Sequence, residues 1–193
     1  VRTSRYSMID NYKFKAMQCD FVDLDVNHSF NVLRVYKNTF ADSILLQDCN
    51  FSNISGDVLN LNKETDDIGI YNVENAYIEN CSFKDIGGVA INLHRGGRDE
   101  STFGPTLYLL DSSFDNVGYD KRNKEGASVA LHGVQLAEMS NLTFTDSRLL
   151  NMHLVVGEPI IRIKDTNFSN SEGLRSNDEA FERENITYKN EKK

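Results

Sequence analysis

The 193 residues include no tryptophan, only two prolines and three cysteines. No apolar run approaches the roughly 20 residues of a membrane-spanning helix, so a helical span is excluded. The odd count of cysteines would leave one thiol free even if two were bridged, and cysteine usage does not fix the compartment. Basic charge is also in deficit: 21 Lys and Arg against 29 Asp and Glu give a formal charge of -8. That balance speaks against a nucleic-acid binder and against adhesion to an anionic surface by overall charge, so any polyanion must be met locally. The Ca²⁺-binding nonapeptide GGxGxD does not occur. Neither an initiator Met nor a signal-like segment stands at Val1, so the sequence reads as a mature or excised piece.

What is present is a repeat. Asn or Asp, two residues, Phe, one residue, then Asn or Asp again, is complete in Asn80-Cys81-Ser82-Phe83-Lys84-Asp85 and returns around Phe51, Phe114, Phe144 and Phe168. A looser copy surrounds Phe21, and a last one has Tyr188 in place of Phe. The aromatic positions 21, 51, 83, 114, 144, 168 and 188 lie 30, 32, 31, 30, 24 and 20 residues apart. A period of this length marks a solenoid, in which each repeat buries its apolar face only against its neighbours.

Each signature follows a short alternating run such as Ile44-Leu45-Leu46 or Leu107-Tyr108-Leu109, with inward residues seven and five places before the aromatic. A further strand follows, as in Ile91-Asn92-Leu93-His94, Val129-Ala130-Leu131-His132 and Leu150-Asn151-Met152-His153. About three strands per turn of about 30 residues predicts an all-β chain folded as a right-handed single-stranded parallel β-helix of about six to seven coils. Residues 1–193 read as one β-helix domain, with 1–12 a leading segment and 171–193 a shortened, charged coil or cap. The Asn and Asp three places before each aromatic should form a ladder at one corner. Cys19, Cys49 and Cys81 share one repeat position and should stack inward as small core residues. Residues 1–11 contain no clear amphipathic helix to cover the first coil, so a preceding domain or a partner is expected there, and self-association is an open outcome.

Three segments interrupt the turns: Lys63 to Val73, Arg95 to Pro105 and Tyr119 to Ala127. Insertions on one side of a solenoid often mark its binding face. Next to them His94, His132 and His153 fall at one repeat position, with Asn62 and Tyr36 as candidate predecessors. Parity puts the column on the outer face, where it is expected as a stacked, solvent-facing ladder. Parallel columns present ligands side by side and do not converge on an ion, so no metal site is assigned. Arg95 and Arg98, with His94 and His132 of the column beside them and Lys121 and Arg122 in the next insertion, could form a basic, hydrogen-bonding patch that binds substrate, its guanidinium forks taking uronate carboxylates. The alternative is pairing with nearby acids and plain solvation.

The run from Ile91 to Pro105, INLHRGGRDESTFGP, followed by a Phe-x-Asn turn and Leu131-His132-Gly133-Val134-Gln135, resembles the C-terminal part of polysaccharide lyase family six, which holds alginate lyases and chondroitinase B. The resemblance covers most of the chain from about Cys49 to Pro159. It implies a second β-helix following a catalytic one, in which a Lys acts as base, an Arg assists, and Asn and Glu side chains hold Ca²⁺. No position here matches those motifs, so no catalytic residue and no cofactor is assigned to this chain, and Ca²⁺ is expected only in the parent's catalytic half.

The expectation is a non-catalytic domain of an extracellular or periplasmic bacterial lyase. Its partners would be the upstream catalytic domain, an anionic polysaccharide of alginate or chondroitin/dermatan type, and in one version a second copy. One alternative is a self-contained lyase acting by β-elimination, with His94, His132, His153 or Lys121 as base and Arg95 or Arg98 neutralising the carboxylate. The other is a structural or adhesive β-helix fragment.

Overall fold

The computed structural model describes residues 13–25, 31–34, 41–62, 73–94, 105–154, 159–179 and 181–192. In chain order the strands are β1 (Lys13–Met17), β2 (Asp20–Leu24), β3 (Asn31–Arg34), β4 (Ala41–Gln47), β5 (Asn50–Ile54) and β6 (Asp57–Asn62). Next come β7 (Val73–Glu79), β8 (Ser82–Ile86), β9 (Ile91–His94), β10 (Thr106–Leu110), β11 (Ser113–Val117) and β12 (Ala127–His132). The last are β13 (Leu136–Thr145), β14 (Leu149–His153), β15 (Ile160–Ser169), β16 (Leu174–Ser176) and β17 (Glu182–Lys189). All pairs are parallel and join a strand to its counterpart one turn later, as Leu107↔Ala137 and Phe114↔Phe144 do. This is a parallel β-helix. One face runs β1-β4-β7-β10-β13, a second runs β2-β5-β8-β11 into β13, and a third is the six-stranded sheet β3-β6-β9-β12-β14-β16. In the later turns β13 and β15 continue across the corner that divides two strands in the earlier ones.

The Asx signature makes the corners. Among the described residues every non-glycine with positive φ is Asn or Asp except Gln18, and two fall in each turn, as Asn80 (φ 50°) and Asp85 (φ 53°) do. A left-handed residue costs an ordinary L side chain roughly 1–2 kcal/mol, and Asn and Asp pay less because their short polar side chains bond locally. Two such kinks five residues apart bend the strand around an inward-pointing Phe. The rings stack nearly parallel down the axis: Phe21–Phe51 at 4.7 Å, Phe51–Phe83 and Phe83–Phe114 at 5.0 Å, Phe114–Phe144 at 4.5 Å, Phe144–Phe168 at 4.8 Å and Phe168–Tyr188 at 5.2 Å. These spacings are the strand spacing itself, about 4.8 Å. From Phe51 to Phe168 the residues seven and five places before each ring, such as Ala76 and Ile78, are buried with it.

Both corners carry amide–carboxylate pairs between turns. Three places before the ring, Asn80 donates to Asp48 (2.6 Å), Asn141 to Asp111 (2.7 Å) and Asn185 to Asp165 (2.9 Å). Two places after it, Asn53 donates to Asp23 and Asn116 to Asp85, both at 2.7 Å. Asp and Asn alternate along each column, broken by Gln18 at the start of one and by Asn190 after Asn170 at the end of the other, so no two carboxylates face each other at strand spacing, where like charges would repel. In every pair the carboxylate lies on the earlier coil and the amide on the later one.

Inside, Cys49 and Cys81 are buried, Cys19 is half-buried, and all three are free thiols. Burial above all raises the Cys81 thiol to about 12. Ser112 takes the same place in the fourth coil, donating to the Leu110 carbonyl and accepting from the Cys81 N–H.

Candidate functional site

The third sheet carries the histidine column. Its register sets Leu93 beside Leu131 and His94 beside His132, then Met152 and His153 one turn on. Leu93, Leu131 and Met152 are buried, which turns the imidazoles to the outer face. The rings of His94 and His132 lie 4.0 Å apart and tilted by 54°, those of His132 and His153 4.6 Å apart and tilted by 49°. The expected solvent-facing ladder is corrected in one respect: only His153 is exposed. His94 is half-buried, and its Nδ1 is shut off from solvent without a hydrogen-bond partner. Burial, and secondarily the charge of His153, hold its pKa below the ordinary value of 6.5, so it is a neutral imidazole.

Sequence reasoning missed the polar group beside this column. Asn92, two places before His94, is 2% exposed and donates to Glu125 at 3.2 Å. Its counterpart Asn151 stands two places before His153 and is half-buried. The signal was available, since both asparagines share the parity of the histidines. Glu125 arrives from the 118–127 excursion, whose neck is tied by Asn123 donating to the carbonyls of Gly118 (2.8 Å) and Ala127 (2.9 Å). Gly118 is needed there: its φ is +95°, and a Cβ would lie 2.8 Å from the Ala127 oxygen.

The basic patch is only partly placed. Arg95 and Arg98 lie outside the described residues, as do Tyr36 and most of the first two insertions. Lys121 and Arg122 are exposed on the 118–127 excursion. Arg122 does not present a free fork, because its Nε and Nη2 both bind Asp120, at 2.9 and 2.8 Å. Its pKa is raised first by that hydrogen bond, with Asp25 also contributing. Its partner Asp120 edges a cleft of about 410 Å³ whose lining includes Asp23, Asp25, Asn53, Asp85, Asn116 and Tyr119. A cleft edged by four carboxylates repels a polyuronate.

The described residues do not fit a bound metal. No three His, Cys, Asp or Glu side chains among them are grouped to hold one ion. The corner carboxylates Asp23, Asp48, Asp85, Asp111 and Asp165 each already accept an amide, whereas Ca²⁺ takes about 6–8 oxygens.

No protein-family model and no curated protein matches this chain. Solved structures do. The PL6 family alginate lyase AlyGC aligns with 37% identity and a TM-score of 0.84 over 96% of this chain. An arginine-to-alanine variant of that enzyme aligns with 38% identity and a TM-score of 0.87 over 97%. The chain is similar to part of a PL6 alginate lyase. It spans 27% of that enzyme's length. The PL6 likeness extends over all three faces of the helix, the histidine strands and both Asx corners included, since little of the chain falls outside the aligned share.

Proposed function

We propose that this chain is a non-catalytic β-helix domain of an alginate or related uronate-polysaccharide lyase. The observation that carries this is the PL6 likeness, which uses 96% of this chain and only 27% of the enzyme. The chemistry agrees with it. β-Elimination needs a base within hydrogen-bond reach of the sugar C5 proton and a cation at the carboxylate. Here the buried Nδ1 of His94 faces no solvent, Arg122 is bound by Asp120, and no sequence position matches the catalytic Lys and Arg motifs or calcium ligands implied by the resemblance.

On this reading the catalytic half, with its Ca²⁺, belongs to the remainder of a longer polypeptide working outside the cytoplasm of a bacterium. The domain supports that half, joins subunits or closes one end of the substrate groove. Where it touches saccharide, the outer face bearing His94, His132 and His153 is the surface to which we assign the contact, with Lys121 as a candidate cation for it. The test is ultraviolet absorbance of the unsaturated product from alginate and chondroitin-type substrates, with and without Ca²⁺. The chain alone should give none, and a polypeptide including the upstream half should give product. Turnover by the chain alone, abolished by His132→Ala, would make the column an active site and overturn the proposal.

A further inference from the structure

The two ends of the solenoid are not alike. At the C-terminal end the register sets Arg183 beside Ile163, Ile186 beside Thr166 and Tyr188 beside Phe168, so a guanidinium and a phenol stand among the last inward positions, next to the half-buried Phe181 and Ile186. Arg183 lies 4.2 Å from the centre of the Phe181 ring and pairs with Glu179. At the N-terminal end the inward positions stay apolar: Phe14, Ala16, Cys19, Phe21 and Leu24. Four of these are only half-buried, whereas their counterparts one coil on, Ile44, Cys49, Phe51 and Ile54, are 0–2% exposed. Among the described strands β1 pairs only with β4, β2 only with β5 and β3 only with β6. One face of Phe21 meets Phe51, and no other ring is stacked on it among the described residues.

The corner supplies a second, independent observation. In every pair of the column three places before the ring, the amide sits on the later coil and reaches back to a carboxylate on the earlier one. Asp48 is taken by Asn80. Gln18, at φ 54°, is thus an amide half without its carboxylate half. It is also the one described left-handed residue of its kind that is neither Asn nor Asp, and its extra methylene carries the amide further from the coil.

We infer that the N-terminal end is a docking surface for one more parallel coil, which sets an aromatic ring on Phe21 and an aspartate on Gln18. That coil comes from a β-helix preceding this one in the same polypeptide, and to that extent the inference rests on the function proposed above. A second copy stacked head to tail does not fit, because its last coil would set the Arg183 guanidinium on Ala16 and would offer Gln18 the amide of Asn185 in place of a carboxylate.

The test supplies such a coil from the protein's own repeat. A copy of residues 41–72, carrying Asp48 and Phe51, is placed directly ahead of residue 11 in place of 1–10, in the register that β4 keeps with β7. Amide hydrogen exchange over residues 13–24 should slow by about tenfold or more against the unmodified chain, and Gln18→Glu in the extended protein should reverse about tenfold of that gain. Equal exchange with and without the added coil, or a gain indifferent to Gln18→Glu, overturns the inference. Should the extended protein not fold, the same exchange measured in the chain and in a polypeptide including the upstream half decides: slower exchange in the longer protein supports it and equal rates refute it. A longer polypeptide that protects 13–24 but yields no unsaturated product sinks the lyase reading alone.

Discussion

Phe114→Ala is the sharpest test of the stacked core. Phe114 is 1% exposed, with Phe83 at 5.0 Å on one side and Phe144 at 4.5 Å on the other. Removing a buried Phe ring costs about 3–5 kcal/mol in lost transfer energy and cavity. Two aromatic neighbours lose a partner, each contact being worth about 0.5–1.5 kcal/mol, so the upper end, about 5 kcal/mol, is expected. Tyr188 is the internal comparison: it is 46% exposed and stacks on one side only, at 5.2 Å. Tyr188→Ala should cost about 1–2 kcal/mol, because less area returns to water and no closed cavity forms. Urea unfolding followed by circular dichroism measures both. Because a solenoid is held by nearest-neighbour interfaces, Phe114→Ala should also split unfolding into two phases, the coils on either side parting at the cavity. Equal midpoints for the two variants, each in a single transition, would refute the ladder as the axis of the core.

Asn80→Asp places a carboxylate against Asp48, at 2.6 Å in the native pair, and should cost about 1–3 kcal/mol at neutral pH through a lost donor and like-charge repulsion. The loss should shrink on acidification, since protonating either carboxylate restores a donor; urea midpoints that stay equally depressed at low pH would contradict this. His94 titrates below its ordinary 6.5 in the folded chain, so its contribution to stability is full above that value and is lost as pH falls through 6.5 towards the folded pKa. His94→Gln should therefore flatten the fall in urea midpoint between about pH 7.5 and about pH 5.5, and an unchanged slope would show that the buried Nδ1 is not its source.

The sequence by itself determined the coil. Its period, the inward parity and the Asx corners follow from one constraint: every turn must set the same residue types over the same neighbours at strand spacing, so the chain writes its structure out once per repeat. The alternation of Asp and Asn is equally present in the letters. What tertiary structure alone decided is which member of each pair reaches which way, and how deep an outward residue lies. Parity says that His94 points outward; it cannot say that Nδ1 is closed off, because that depends on what lies against the sheet there. Arg122 counted as a cation for a ligand until the excursion brought Asp120 onto its Nε and Nη2. The inequality of the two ends is likewise a matter of register, since only the pairing of β15 with β17 places Arg183 in a column that is apolar in the coils before it, whereas at β1 the same column holds Ala16, beside the half-buried Phe14.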